Sequence, residues 1–337
     1  MLKPPAVRRR QPDGAGPTRP AGGAGEPGRD SAIERVLVIK LGALGDFVQA
    51  TGAFQAIRAH HCDAHVTLLT TAPYAGFARA SGYFDEVWVD SRPKLWQVGA
   101  LLALTRNLRA RRFDRVYDLQ ASHRSNAYFR LFGRRRPEWS GIVRGCSHPH
   151  TNPGRDLMHV AHAWADQLAV AGIRCVPPPD LSWVQADIGR FGLSGRYALL
   201  VPGSAAHRPA KRWPAERFAA FATWLLERDV RPVLVGAAAE RSVLAEITRL
   251  CPAALDLCDQ TSFAEIVTLA REAAGAVGND TGPMHLIAVA GCPCVTLFSA
   301  ASNPEFTGPC GPSVTVLQRP SLANLSVYQV ISVLQLR

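Results

Sequence analysis

Three short segments of this 337-residue chain hold the residues best able to do chemistry. Each lies where a β-rich apolar run gives way to a helical pattern. The first is Lys40-Leu41-Gly42-Ala43-Leu44-Gly45-Asp46. Gly42 and Gly45 let the backbone turn tightly and approach a ligand. Asp46 then stands at a helix start, where a carboxylate serves either as an N-cap or as a general base. The second runs from Val201 to Pro214, a small, polar, basic loop containing Ser204 and Lys211. Lys211 is either a solvent-facing lysine or a point charge for a diphosphate. The third is Gly278-Asn279-Asp280-Thr281-Gly282-Pro283-Met284-His285. Thr281 is a natural N-cap, and the free amides of the following turn form an anion site. His285, in that turn, either reaches a phosphate or is an ordinary structural residue. The glycine loop is not the GxGxxG dinucleotide fingerprint, and no Walker lysine follows it.

The elements that must position these loops follow from hydrophobic periodicity. In the first half, strands are expected at 35–40, 65–70, 86–90 and 115–119. Helices are expected at 46–59, 74–80, 95–109 and 156–171, the first carrying Phe47, Ala50, Phe54 and Ile57 on one face. The stretch 174–187, with Pro177-Pro178-Pro179, reads as a linker. The alternation then restarts. Strands are expected at 197–201, 232–236, 254–257, 275–278 and 293–298, and helices at 214–228, 240–250, 263–273, 284–290 and 327–336. The last of these opens with a Ser326/Gln329 capping box. Strands alternating with helices imply parallel βαβ units covered on both faces. The fold class is α/β, two doubly wound domains in tandem at 31–180 and 188–337, and in such sheets ligands sit beyond the carboxyl ends of the strands.

Composition narrows the function classes. Residues 1–30 hold six prolines, six glycines and an excess of arginine, and lack the apolar core of a secretory signal. They are expected to form a disordered basic tail. No apolar run approaches the ~20 residues of a membrane-spanning helix. The eight cysteines form no disulfide framework or paired zinc-ribbon spacing, as expected of reduced thiols in a cytoplasmic enzyme. Net charge is +11, and the stretch from Arg106 to Arg136 sets ten arginines against Asp114 and Asp118. Such a stretch is either a solvated helix face or a surface for nucleic acid, an anionic membrane or an acidic ligand.

The segments KLGALGD, PGSAAHRPAKRWP and VGNDTGPMHL, in this order and at these separations, resemble the signature loops of glycosyltransferase family nine, whose best-known members are the heptosyltransferases of lipopolysaccharide core biosynthesis. Asp118-Leu119-Gln120-Ala121-Ser122-His123-Arg124-Ser125 resembles a further segment of that family. The likeness runs from about residue 34 to the C-terminus. It implies the GT-B architecture, two facing Rossmann-like domains across a cleft, and an inverting mechanism without metal or cofactor. The co-substrate implied is a nucleotide sugar, ADP-heptose first among them. Asp46 matches the catalytic base, and Lys211 matches the lysine that stabilises the departing diphosphate. Asp280, Thr281 and Gly282 match the donor-binding turn, with His285 beside it and Ser204 in the facing loop. Glu240 matches a glutamate that holds the donor ribose.

The implied acceptor is an anionic glycolipid, with Arg124 the expected contact. It would put the protein in the cytoplasm, peripheral at the inner face of the inner membrane, without a nucleic-acid partner. The sequence departs from the family at Ala205-Ala206-His207, where threonines are common, and in the segment from Phe298 to Pro304. Both departures bear on the donor sugar. Three other readings stand beside this one: a GT-B transferase using another nucleotide sugar on a different envelope glycan, a nucleotide-sugar or polyanion binding protein without turnover, and an oxidoreductase. The missing dinucleotide fingerprint speaks against the last.

Overall fold

The computed structural model describes residues 34–94, 96–204 and 208–337. The expected basic tail, Leu95 and the Ala205-Ala206-His207 departure lie outside the described residues.

Among the described residues, twelve strands form two parallel six-stranded sheets. The first contains β1 (Arg35–Ile39), β2 (His65–Thr70), β3 (Glu86–Val89), β4 (Arg115–Asp118), β5 (Glu138–Gly141) and β6 (His148–Pro149), in the order β3-β2-β1-β4-β5-β6. The second contains β7 (Tyr197–Val201), β8 (Arg231–Leu234), β9 (Leu255–Asp256), β10 (Gly275–Asn279), β11 (Cys294–Phe298) and β12 (Val314–Gln318), in the order β12-β11-β10-β7-β8-β9. The central strands β7, β10 and β11 are buried along their whole length, which is why they read as unbroken apolar runs rather than alternating ones. The covering helices are α1 (Leu44–Gln49), α2 (Thr51–His60), α3 (Ala72–Ala80), α4 (Val98–Ala110), α5 (His123–Leu131) and α6 (Val160–Val170) in the first half. In the second they are α7 (Ala215–Leu226), α8 (Arg241–Leu250), α9 (Phe263–Glu272), α10 (Gly282–Val289), α11 (Pro304–Thr307) and α12 (Val327–Ile331). The two doubly wound sheets expected from the alternation are both present.

The structure corrects several element boundaries, each for a local reason. The helix expected at 46–59 begins at Leu44 and is divided at Ala50, where the Thr51 hydroxyl donates to the Val48 carbonyl at 2.8 Å. That bond competes with the regular helical ladder. The helix expected at 156–171 starts only at Val160, because Met158 is extended and His159 caps α6 through Nδ1. The final helix stops at Ile331 instead of 336. Beyond it Leu334 and Leu336 pack beside Gly275, and the Arg337 amide donates to the Ala274 carbonyl at 2.9 Å. Strands β5, β6 and β12 and helices α5 and α11 had no expected counterpart. β5 and β6 have four and two residues, too few to show a period.

The proline-rich connection is packed rather than loose. Leu181 and Val184 are buried in the core, and the Arg271 guanidinium donates to both of their carbonyls at 2.5 Å. The Asp180 amide donates to Thr51 Oγ1 of α2 at 3.1 Å.

The arginine-rich stretch is divided between opposite ends of the first sheet. Helix α4 runs from the carboxyl end of β3 back to the amino end of β4, so Arg106, Arg109, Arg111 and Arg112 lie at the amino edge of the strands. Arg134, Arg135 and Arg136, between α5 and β5, share that edge. Arg124, in the first turn of α5, lies at the carboxyl edge instead, and donates to the Pro93 carbonyl at 3.3 Å. The stretch read in the sequence as one surface is therefore divided: the chain reversal between strands separates Arg124 from the rest.

Helix α6 is held to the first sheet by two buried side chains. Trp164 Nε1 donates to the Leu119 carbonyl at 3.0 Å, and Gln167 Nε2 donates to the carbonyls of Asp118 and Ser140 at 3.1 and 3.2 Å. Gln167→Met keeps the volume but removes the donor from two buried carbonyls. A loss of about 1–3 kcal/mol is expected, seen as a lower urea midpoint at unchanged slope. An unmoved midpoint would mean that those carbonyls find other donors.

Candidate active site between the two sheets

Loops from the carboxyl ends of both sheets meet at two glycines. The glycine loop between β1 and α1 packs against the first turn of α10. A Cβ on Gly45 would lie 2.7 Å from the His285 ring, and one on Gly282 would lie 2.7 Å from Leu44. No side chain fits at either glycine, so each admits the opposing half at contact distance. Gly42 adopts φ +131°, a conformation that side-chain-bearing residues rarely take, and lies under the Tyr74 ring.

A cavity of about 200 Å³ opens at this junction, and both halves line it. Leu44 comes from the first, while Gly203, Glu240, Asp259, Thr281 and Pro283 come from the loops and helix starts beyond β7, β8, β9 and β10. Glu240 lies over Gly203, with one carboxylate oxygen held by the Ala237 amide at 2.8 Å. Thr281 occupies the N-cap position of α10, as its type suggested, yet its hydroxyl makes no capping hydrogen bond among the described residues. The first-turn amides of α10 thus lack that internal acceptor, the condition under which a helix start binds an anion.

Two lysine–carboxylate pairs flank the junction. Asp46, in the first turn of α1 rather than at its cap, is 38% exposed, and Lys40 Nζ lies 3.4 Å from its Oδ2. Lys40 is buried at the end of β1, 4.8 Å over the Trp164 ring. Burial lowers its pKa, while the carboxylates of Asp46 and Asp118 pull it back up. Asp118 is fully buried, and that burial pushes its carboxyl up to about 6 against the backbone amides of Ala121 and Gln120, the Ser125 hydroxyl and Lys40. Across the junction, Lys211 Nζ lies 2.5 Å from Asp280 Oδ2, with both side chains nearly buried. The Ser302 hydroxyl donates to the same oxygen at 2.7 Å. Ser302 belongs to the Phe298–Pro304 departure, which thus touches the site.

The fully buried Asn279 aligns the second pair. Its Oδ1 accepts from the Trp213 amide at 3.0 Å and its Nδ2 donates to the Pro202 carbonyl at 2.7 Å, tying the loop that carries Lys211 to the end of β10.

His285 connects the halves. Gln49 Nε2 of α1 contacts the Gly308 carbonyl and His285 Nδ1, each at 3.2 Å. A carbonyl only accepts, so Nε2 is the amide nitrogen and donates to Nδ1 as well, which leaves the imidazole proton on Nε2, facing Gly45. Burial pushes His285 down to about 4. Asp280 and Asp46 oppose that shift, and His159 and Lys211 add to it. His159, which starts α6, contacts the Gly308 carbonyl through Nε2 at 2.9 Å.

Of the residues singled out in the sequence, Gly42, Gly45, Asp46, Lys211, Asp280, Thr281, Gly282 and His285 converge here, and Glu240 lines the cavity. Ser204 is buried beside it, but its hydroxyl is committed to the Arg208 carbonyl and the Arg212 guanidinium, at 3.4 and 3.3 Å. Gly203 faces the cavity in its place. Arg124 stays on the rim of the first half. Sequence reasoning missed Lys40, Gln49, Asn279, His159 and Ser302. Two signals were available: a lysine ending a buried strand, and a glutamine among the apolar positions of α1.

Comparison with known proteins follows from this geometry. Residues 179–328 match the model of glycosyltransferase family 9 (heptosyltransferase). The chain is 26% identical over 313 residues to lipopolysaccharide heptosyltransferase 2 of Salmonella typhimurium, covering 84% of this chain and 88% of that protein. Its fold is similar to that of the E. coli ADP-heptose lipopolysaccharide heptosyltransferase II, with TM-score 0.74 and 23% identity over 88% of this chain and 96% of that one. It is also similar to a family 9 glycosyltransferase of Veillonella parvula, with TM-score 0.78 and 22% identity over 89% and 95% of the two chains. The two facing sheets are thus the GT-B architecture.

The buried imidazole makes a pH prediction. Its folded pKa lies below its unfolded one, so the unfolded chain takes up the proton first as pH falls. The His285 contribution is complete above the ordinary histidine range and declines as pH drops toward about 4. ¹⁵N NMR should show Nε2 protonated at neutral pH, and Gln49→Glu should raise the titration midpoint of His285. A wild-type midpoint in the ordinary histidine range would contradict the burial.

Proposed function

We propose, from the match of residues 179–328 to the model of glycosyltransferase family 9, that the chain moves a heptose, or a related sugar, from an ADP-sugar to a lipopolysaccharide-core-type acceptor with inversion at the anomeric carbon. One observation carries this reading: the cavity at the ends of β7, β8 and β10 is closed by Leu44, two residues from Asp46, so that donor-side and acceptor-side groups share one cleft. The relatives that bear on the donor are named for heptose transfer, and one of them for ADP-heptose.

The reaction requires charge at two places. Asp46 removes the proton from the acceptor hydroxyl, whose oxygen attacks the anomeric carbon as the bond to the diphosphate breaks on the opposite face. The electron pair leaves with the nucleoside diphosphate. Lys211 and the first-turn amides of α10 neutralise that charge, the kind of preorganised stabilisation that contributes most to many enzymes. They supply positive charge where a divalent ion would otherwise act, so the proposed reaction uses no metal or cofactor.

Lys40 holds the Asp46 carboxylate in place, and Asp280 with Ser302 holds the Lys211 ammonium. Glu240 meets the donor ribose, and Thr281 and Gly282 form the turn over the diphosphate. Arg124 contacts the acid groups of the acceptor. Ser204 shapes the loop, and His285 joins the two halves behind the reacting groups. A glycolipid acceptor places the protein in the cytoplasm, peripheral at the inner face of the inner membrane. The proposed domain limits are 31–180 and 188–337.

Asp46→Asn should lower kcat by about a hundredfold to ten-thousandfold, the usual contribution of a general base, while calorimetry finds ADP-heptose affinity changed only a few-fold. Unchanged turnover would remove Asp46 from the mechanism. Lys211→Ala should weaken both donor binding and turnover, and an effect on neither would return it to a structural ion pair. A binding screen of ADP-, UDP- and GDP-sugars tests the donor directly. Preference for a UDP-sugar would favour a GT-B transferase acting on a different envelope glycan.

A further inference from the structure

Helix α4 is the least covered helix of the first half: of its thirteen residues only Leu108 is buried. The chain presents large apolar side chains at its start, with Trp96 73%, Val98 57% and Leu102 62% exposed. The helix contains no acidic residue. Its second half and the turn beyond it carry Arg106, Arg109 and Arg112, which share a groove with Leu102. Arg109 and Arg112 also line an adjoining cavity of about 540 Å³ with Arg134, Arg135 and Arg136. Asp114 is the one carboxylate in that wall, and its Oδ2 already accepts from the Arg35 amide at 2.8 Å. Among the described residues, none of these five arginines or Arg106 is paired with a carboxylate.

We infer that α4 and this arginine cluster form the surface by which the protein docks on an anionic phospholipid bilayer. The inference rests on the membrane location in the proposed function, and not on its sugar chemistry. Cationic charge on a helix that also exposes tryptophan and leucine is the composition of an interfacial helix, whose apolar side chains enter the headgroup boundary while arginines meet lipid phosphates. A nucleic-acid backbone would account for the arginines, but gives Trp96, Val98 and Leu102 no apolar medium to enter.

The placement adds an orientation. Trp96 and Val98 stand at the carboxyl edge of the first sheet, on the loop whose Pro93 carbonyl accepts from Arg124 and whose Arg92 donates to the Leu41 carbonyl of the glycine loop at 2.7 Å. The arginine cluster lies about 20 Å away along the helix, at 1.5 Å per residue. A bilayer lying along α4 would therefore touch the rim that holds Arg124, where a lipid-borne acceptor enters the cleft.

The test is co-sedimentation with phosphatidylglycerol-rich and pure phosphatidylcholine vesicles, using the whole chain. Wild type should bind the anionic vesicles and release with added salt. A triple variant, Arg106→Gln, Arg109→Gln and Arg112→Gln, should bind about a hundredfold more weakly, as the loss of three charges at such a surface implies. A second variant, Trp96→Ser with Leu102→Ser, should also lose vesicle binding. Both should keep the wild-type melting temperature and wild-type turnover on a lipid-free acceptor, since none of these residues lies in the cleft. Equal vesicle binding by either variant overturns the proposal. So does loss of duplex RNA binding in the arginine variant with vesicle binding intact. If wild type binds vesicles through these residues but turns over no nucleotide sugar, the docking surface stands and the transferase reading fails.

Discussion

The site depends on one contact, the start of α1 against the start of α10. Gly45 gives way to the His285 ring and Gly282 gives way to the Leu44 side chain. A methyl group at either place would collide with the opposing side chain. Because the contact is made at two helix starts, it brings unpaired amides and polar loops together, and those are the groups that bind anions and position acids. Lys40, Asp46 and Asp280 stand on these two helices or at the ends of the strands that precede them, and Asn279 ties the loop carrying Lys211 to the end of β10.

Charge within the cleft is arranged as two nearly self-neutral units. Lys40 with Asp46 belongs to the first sheet, and Lys211 with Asp280 to the second. The two differ in exposure. Lys40 is buried while Asp46 remains open, so the carboxylate is the member presented to an incoming group. In the second unit both members are nearly buried, and Ser302 shares the Asp280 oxygen, so that Lys211 is held rather than free to wander. An ion pair of this kind costs desolvation on both sides and is weak evidence for stability. Its effect here is to orient a carboxylate and an ammonium.

The sequence made the architecture legible because parallel strands buried on both faces cannot help but be apolar throughout, and their alternation with helical spacing leaves few topologies open. It missed β5 and β6 because strands of four and two residues carry no period, and it overran two helices because their breaks come from a threonine hydroxyl and a histidine ring rather than from proline or glycine. It also read the arginines from Arg106 to Arg136 as one patch. They are neighbours in sequence, but a helix crossing the sheet puts them at opposite ends of the strands.

Residue type and spacing by themselves determined that this chain builds two doubly wound sheets, and that Asp46, Lys211 and the turn at Asp280 leave them at carboxyl ends. Those facts follow from local rules: strand period, helix period and the chemistry of helix starts. Only the tertiary structure decided which loops meet, that Lys40, Gln49 and Asn279 bond to Asp46, His285 and the loop carrying Lys211, and that Ser204 turns from the cavity while Gly203 faces it. Such choices depend on contacts between residues as far apart as Gln49 and His285, whose distance in the chain leaves no trace in any window of sequence.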